Sequence, residues 1–508
     1  MTSTVKSEVF RDTAKYISSQ YLAQFFGFII SFAMKRFLGP SMIGIWNVVL
    51  LIISYSSFAH LGTVEVAYRD IPFYKGAKQL EKAERLKNEA FTFSMIASIV
   101  PAICIVLYAL CFKDSFKTPN LFLALLYAAV LMICQRAYDY YTTLLRANKA
   151  FTIISQVTIL AAACNLILTF LLVWPFKLYG LFAASLLNVF LPFWFVSSKA
   201  RYRISWTLSR DGLVAMLKIG FPLFLLGLCS MTVSSIDKII IAKYLGVTAL
   251  GNYSIALMAG SYLLGMPNMF CIALYPRLQE KYGEEQSPEG IKNYLLQPIQ
   301  VVAVMIGFLV GLSVLTVPCL ILNFLPEFAS GLPAMKIFVW SVFFFAIGQH
   351  AYTFLVTLNK QLKTIPIVLF GIAAIGGVGL FFVRLGWGIE GVAGGVLVGS
   401  ILYNLALIAY AKSYFASMRD SIRFFIFIIF IFVYFLFLTL SLASFGRDAS
   451  FLDAFLRSAL YLLIALPLFW ILQKKTGFLI LAFTIIRDKL KSAPCIVAER
   501  NTPKNSFN

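Results

Sequence analysis

Two segments half a chain apart carry the same pattern. Residues 33–46 read AMKRFLGPSMIGIW and residues 241–253 read IAKYLGVTALGNY, each at the exit of an apolar stretch. Arg36, Leu38, Gly39, Gly44 and Trp46 are matched by Lys243, Leu245, Gly246, Gly251 and Tyr253, every pair 207 positions apart. A duplicated chain must fold into two similar units that either sit side by side or face each other, which removes most other architectures from consideration.

Composition says where these units live. Of the 508 residues 60% are hydrophobic and only 13% are charged, and the mean hydropathy is +0.85. A soluble domain would lack the polar surface to cover such a core. Fourteen stretches of about 20 apolar residues, the first at 14–34 and the last at 454–473, are each long enough to cross ~30 Å of hydrocarbon as a helix. The expected fold is all-α and integral to the membrane, with about 14 transmembrane helices in groups of six, six and two. Residues 1–212 form an N-terminal lobe, 213–412 a C-terminal lobe, 413–475 two extra helices, and 476–508 a tail. Met1 to Lys15 is polar and shows no signal-cleavage pattern, so the first apolar stretch is expected to stay. The tail segment 478–491, FLILAFTIIRDKLK, reads as an interfacial amphipathic helix. AKQLEKAERLKNEA at 77–90 reads as a helix on the cytoplasmic surface, with Glu81 and Arg85 spaced i,i+4.

The repeat extends downstream. LLRANKAF at 144–151 matches LVTLNKQL at 355–362, pairing Asn148–Lys149 with Asn359–Lys360 at an offset of 211, and Gly180 pairs with Gly391 at the same offset. Six helices per copy is an even number, so the copies are parallel, related by an axis along the membrane normal. Two such bundles can rock about a site between them and open it to alternate sides.

A net charge of +21 raises nucleic acid as a partner, but the basic residues follow topology instead. With a cytoplasmic N-terminus, 31 of the 43 Lys and Arg residues fall in inner loops and tails. That bias places both termini in the cytoplasm. The eight cysteines are scattered, with no Cys-x-x-Cys, and read as small core residues without disulfide or metal. No phosphate loop, HExxH or nucleophile elbow is present, so no enzyme and no cofactor are expected.

The run SIDKIIIAKYLGVTALGNYSIA, the early KRFLGPSMIGIW, the LLRANKAF loop and the six-plus-six-plus-two plan resemble the polysaccharide transporter (oligosaccharide flippase) family of the MOP superfamily, which also holds the MATE exporters. The resemblance implies a two-lobed, V-shaped protein of the bacterial inner membrane. Such a protein moves polyprenyl-diphosphate-linked oligosaccharides to the outer leaflet for O-antigen, capsule or exopolysaccharide synthesis, coupled to protons or sodium and working beside a polysaccharide polymerase. Fold analogy alone does not establish that function. A cation-coupled multidrug exporter and a non-transporting scaffold of a polysaccharide assembly complex remain alternatives.

Charges inside the bilayer cost at least ~2.5 kcal/mol each on insertion scales and call for a reason. For a diphosphate, the candidate contacts are Arg136, Arg36, Lys243, Lys238, Arg69 and Arg146. The candidate ion-coupling carboxylates are Glu65, Asp237 and Asp139. Arg136 reads either as a phosphate contact or as a self-neutralised pair with Asp139 at i+3, while Arg36 and Lys243 could simply snorkel to the interface. Asp237 and Lys238 point to different sides of one helix. Gln24, Asn47, Gln156, Asn165, Asn188, Asn252, Gln349 and Asn404 could hold sugar or bridge helices. The tyrosine-rich YDYYTTLL at 138–145 could anchor an interface or stack on sugar rings.

Cysteine-accessibility labelling tests the topology. Probes at positions 84 and 500 are expected to react from the cytoplasmic side and one at 115 from outside; the reverse pattern refutes the charge argument.

Overall fold

The computed structural model describes residues 3–115, 119–200 and 202–476, so the interfacial helix expected at 478–491 lies outside the described residues. Every regular element among them is helical. Twelve segments are long and apolar enough to cross a bilayer. Two of these are outsized: Ser18–His60 has 43 residues and Phe151–Lys199 has 49. As straight helices they would run about 65 and 74 Å, more than twice the ~30 Å of hydrocarbon.

Both are broken. Helix α1 (Ser3–Ser56) is interrupted at Gly39, whose φ of 69° and ψ of 175° turn the chain back before Pro40 restarts a helix. The second break is at Lys177 (φ 52°, ψ −126°), inside α6 (Trp174–Ala200), which follows α5 (Phe151–Leu168) through one wide π-type turn. The other elements of the first half are α2 (Thr63–Gly76), α3 (Leu80–Cys111) and α4 (Pro119–Ala147). The 77–90 segment expected to lie on the surface is instead mostly the first turns of α3, with Ala83, Leu86 and Ala90 buried, and Arg85 pairs forward with Glu89 at 2.9 Å rather than back with Glu81.

In the second half come α7 (Arg210–Val233), α8 (Ile236–Ile240), α9 (Val247–Glu285), α10 (Asn293–Phe324), α11 (Leu332–Thr357), α12 (Ile365–Arg384) and α13 (Gly388–Lys412). The break between α8 and α9 falls at Gly246, with φ 90° and ψ 171°, 207 positions after Gly39 and nearly the same conformation. A positive φ with extended ψ is open to glycine alone without strain, which explains why both copies carry it.

Other breaks repeat too. Lys177 has its counterpart 211 positions on in Gly388, at φ 55°. After α4, Lys149 adopts φ 56° while Ala150 N–H bonds Leu145 O at 2.9 Å and Lys149 N–H bonds Arg146 O at 3.0 Å. After α11, Asn359 adopts φ 56° with Lys360 N–H on Leu355 O at 2.8 Å and Asn359 N–H on Val356 O at 3.0 Å. Both are Schellman caps, and they match at an offset of 210, one less than the Asn-Lys letters suggest. Lys149, not Asn148, stands where Asn359 stands.

The halves meet through backbone. A Cβ on Gly44 would lie 1.7 Å from the Val247 carbonyl oxygen, and one on Gly251 would lie 1.7 Å from that of Pro40. Pro40 and Val247 are 207 apart, as are Gly44 and Gly251, so each half offers the other the same glycine and the same carbonyl. This is the self-complementary contact that a two-fold axis requires. Farther along the bundle, the start of α2 and α7 also approach backbone to backbone, where a Cβ on Gly62 would lie 2.0 Å from the Gly220 carbonyl oxygen.

Helices α14 (Met418–Ala443) and α15 (Phe451–Thr476) pack on α10. Tyr461 donates to Gly307 O at 3.3 Å, and Asp448 in the connecting turn takes Lys336 Nζ at 2.6 Å and Arg457 Nη1 at 3.2 Å. Burial alone would raise the Asp448 carboxyl; the two cations more than offset it and hold it below the ordinary carboxylate range. On α14 the large side chains Ile422, Ile426, Phe430, Val433 and Phe437 are exposed, the apolar face a membrane helix turns to lipid.

Gly44→Val and Gly251→Val are each expected to lower the thermal stability of the detergent-solubilised protein by about 1–3 kcal/mol or more, as overpacking does. Gly377→Val is the control, because a Cβ there meets nothing within 4 Å. If all three melt alike, the crossing is not a close backbone contact.

Candidate functional site

A cavity of ≈ 810 Å³ lies between the halves, lined by both parts of α1, by α7, α8, α9 and α11, and by single residues of α5 and α13. Its walls follow the repeat. Gly27/Ser234, Ile30/Asp237, Ser31/Lys238, Asn47/Ser254, Leu50/Leu257, Leu51/Met258 and Ser54/Ser261 all line it, and each pair is 207 apart. Along α1 the lining positions 27, 30, 31, 34 and 35 form one helical face. The cavity therefore straddles the pseudo-two-fold axis, with the Gly44/Gly251 crossing next to the lining residue Ile43 at one end.

Three charged side chains line it: Lys35, Lys238 and Asp237. Lys35 is 6% exposed, and its ammonium donates to Ser31 Oγ one turn back at 3.1 Å. Lys238 does the same to the Ser234 carbonyl at 2.8 Å. An ammonium has three protons, so both keep donors for a ligand. Asp237 differs: Oδ1 accepts from Lys238 N at 2.8 Å and Oδ2 from the Tyr253 hydroxyl at 3.1 Å. Asn47 Nδ2 and Ser254 Oγ, an equivalent pair, are buried without a hydrogen-bond partner. Such groups normally find one, and these two atoms are almost fully shut off from the cavity. Asn165 and Gln349 also line the cavity, whereas Asn404 bonds its own helix at Ser400 O, 2.9 Å away.

Arg136 stands elsewhere. It is buried on α4 and donates from Nη2 to Ser56 O at 3.1 Å and Ser57 O at 2.6 Å. These carbonyls belong to the end of α1, where the helix gives way to a short 3-10 turn (Ser57–His60) before α2. Leu61 (φ 50°) and Gly62 (φ 88°) complete the break. Carbonyls at a helix end are served by tight 3-10 bonds and by side-chain donors, and Arg136 donates to two of them. The expected Arg136–Asp139 pair gives way to a different one, since Asp139 accepts from Gln135 at 2.9 Å. In the same break, His60 Nδ1 accepts from Gly62 N–H at 3.1 Å and lies 3.3 Å from Glu65 Oε2. Glu65, Arg136 and His60 thus form one group in the first half of the chain, apart from the cavity lining.

The remaining expected cations are peripheral. Exposed Arg36 donates to Phe324 O at 3.3 Å, at the end of the bundle that holds Gly39. Lys243 is exposed with its ammonium 5.5 Å from the Tyr244 ring. Arg69 pairs with its neighbour Asp70 at 2.6 Å, and Arg146 is exposed at the end of α4. Lys35 leaves little mark in the sequence: it sits just past the apolar stretch 14–34, and its counterpart 207 on is Ala242, while its neighbour Arg36 has Lys243. The signal that finds it is the spacing of four from Ser31 on the lining face. In the 138–145 cluster, Tyr140 is fully buried and donates to the Lys87 carbonyl, and Tyr141 packs edge-on against Phe193, so the cluster lies in the packing of α4 rather than in the cavity.

Fold and cavity together define an all-α, multi-pass membrane protein with a cavity between its two halves. Residues 33–266 match the sequence model of the family described as polysaccharide biosynthesis protein, and the resemblance read from the sequence is borne out. Among solved structures, the lipid II flippase MurJ in an inward closed conformation is similar with TM-score 0.68 and 14% identity, covering 90% of this chain and 98% of that one. An inward-facing multidrug resistance MATE family transporter of the MOP superfamily gives TM-score 0.63 at 16% identity over 77% and 94%. A MOP superfamily transporter from Pyrococcus furiosus, whose binding pocket is described as of reverse polarity, suggesting a different function, gives 0.55 at 17% over 79% and 93%. At these identities the likeness is one of fold. A search of curated proteins finds no significant match.

Substitutions at Arg136 are expected to move stability. Arg136→Gln leaves two buried carbonyls underserved and is expected to cost about 1.5–3 kcal/mol, with Arg136→Lys intermediate, measured by thermal melting in detergent. An Arg136→Gln protein that melts like wild type but no longer transports would make Arg136 a substrate contact instead.

Proposed function

We propose that this protein is a flippase for polyprenyl-diphosphate-linked oligosaccharides, with Lys35 and Lys238 receiving the diphosphate in the central cavity. The observation that supports this reading is the charge pattern of the cavity: two ammonium groups with protons to spare and one carboxylate whose oxygens are already engaged. Diphosphate leaving the head-group layer must exchange water for fixed donors, and its attraction to cations strengthens as water is excluded. Asn165 and Gln349 offer hydrogen bonds to the sugars. An exporter of cationic drugs would want a free carboxylate here, and Asp237 is held by Tyr253 and by the Lys238 amide.

Glu65 is assigned to ion coupling, next to His60 and Arg136 at the break between α1 and α2. Its Oε2 is buried without a hydrogen-bond partner, so adding or removing a proton or sodium ion there changes the charge balance of the break. Asp237 and Asp139, each held by neighbouring donors, serve structure. Arg36, Lys243, Arg69 and Arg146 act at the two membrane surfaces. Residues 1–212 and 213–412 move as the rocking lobes, in the bacterial inner membrane with both termini cytoplasmic.

Reconstituted vesicles with a fluorescent polyprenyl-diphosphate oligosaccharide test the cavity assignment. Lys35→Gln and Lys238→Gln are each expected to slow flipping roughly ten- to a hundredfold, the value of one charge-assisted hydrogen bond. Melting should be unchanged, and Lys→Arg should restore part of the rate. Wild-type flipping by the double Gln variant would sink the reading.

A further inference from the structure

Away from the cavity, a second recess of ≈ 380 Å³ opens where α10 begins, α13 ends and α14 begins. Three cations line it, Lys292, Lys412 and Arg423, against a single carboxylate, Asp420. Lys412 is 2% exposed, yet no acidic side chain pairs with it among the described ion pairs; its ammonium donates to the Asp420 carbonyl oxygen at 3.2 Å and sits 4.2 Å over the Phe424 ring. The Asp420 carboxylate is engaged by the Ser417 hydroxyl at 2.7 Å, as part of the cap of α14. Lys292 reaches only Glu289, at 3.4 Å, on a side chain that is 71% exposed. Asp420 is within electrostatic reach of Lys412 and Arg423, but one carboxylate against three cations leaves the recess with an excess of positive charge, which is costly to bury and favours a further anion.

Apart from Gln300 its other walls are apolar, with Phe415, Phe424 and Phe427 the largest. Directly beyond Arg423 the lipid-facing side of α14 begins with Ile422 and Ile426, 52% and 62% exposed. Cations at the helix ends, rings below them and a lipid-facing helix alongside are arranged as the parts of a phospholipid are: phosphate at the surface, acyl chain toward the middle. Basic pockets between helices at this depth bind anionic head groups. We propose that this recess is a binding site for an anionic membrane phospholipid, whose phosphate takes the free protons of Lys412 and the guanidinium of Arg423. The lipid is a fixed structural partner that fastens α14 to α10 and α13, distinct from any transported molecule.

Full-length protein, delipidated in detergent, is to be titrated with dioleoyl phosphatidylglycerol or dioleoyl phosphatidylcholine and bound lipid counted by native mass spectrometry. Wild type is expected to hold phosphatidylglycerol in preference. The double variant Lys292→Gln with Arg423→Gln changes more exposed side chains and should fold normally; it is expected to lose roughly tenfold in phosphatidylglycerol affinity with its lipid-free melting unchanged. Lys412→Gln should lose as much or more, and if it fails to fold the double variant decides alone. Equal phosphatidylglycerol binding by the double variant overturns the proposal. Stabilisation of wild type by inorganic phosphate as strong as by the lipid at equal concentration also overturns it, in favour of a soluble anion.

Discussion

The contact on which the rest depends is the reciprocal crossing of Gly44 on Val247 and Gly251 on Pro40. Two helices restart there after glycine breaks, and they approach until backbone meets backbone with no side chain between them. Within a membrane, apolar burial gives no drive for helices to associate, because lipid is as apolar as leucine; close packing of small residues supplies it instead. The crossing holds the halves together at one end, and the Gly62–Gly220 approach of α2 and α7 holds them again farther along the bundle, with the cavity lying beside the first of these contacts.

Symmetry builds the cavity and its exceptions give it character. Seven lining pairs obey the 207 offset, and most exchange like for like: Leu50 for Leu257, Ser54 for Ser261, Leu51 for Met258. The charged positions do not. Lys238 faces Ser31, Asp237 faces Ile30, and Lys35 corresponds to Ala242. Both lysines still use the same device, an ammonium folded back onto an oxygen one turn earlier. The scaffold is thus two-fold while the charge lining the cavity is not.

That distinction also sets what could be read from sequence. The all-α membrane fold followed from hydropathy, and the repeat from five letters, because both are properties of whole helices. The helical breaks were legible in Gly39 and Gly246 but not at Lys177, where a lysine adopts a backbone that its counterpart Gly388 adopts freely. Lys238 was legible as a charge inside an apolar helix, and the repeat pointed to Arg36 and Lys243, but Lys35, at the end of its apolar stretch and with alanine as its counterpart, was marked by neither. Arg136 was singled out correctly as a buried charge, yet its partner could not be known: the Ser56 and Ser57 carbonyls lie some 80 positions earlier in the chain, and backbone acceptors leave no mark in a sequence.

Arg136 shows why a buried cation need not be a binding residue. Where α1 ends, the Ser56 and Ser57 carbonyls both receive donors from Arg136, and a polar backbone group left without a partner inside a protein is costly. A guanidinium can serve two carbonyls at once with its planar fork, and its positive charge suits the negative end of the helix dipole. The break it caps holds Leu61 and Gly62 at positive φ and carries His60 and Glu65 within 3.3 Å of each other. A helix fixed at such a point by one side chain from another helix is stiff only while those bonds last. The charge of Glu65 acts on the same guanidinium, so under the proposed ion-coupling role a change of charge at Glu65 would be felt at the break between α1 and α2 through Arg136, outside the cavity lining.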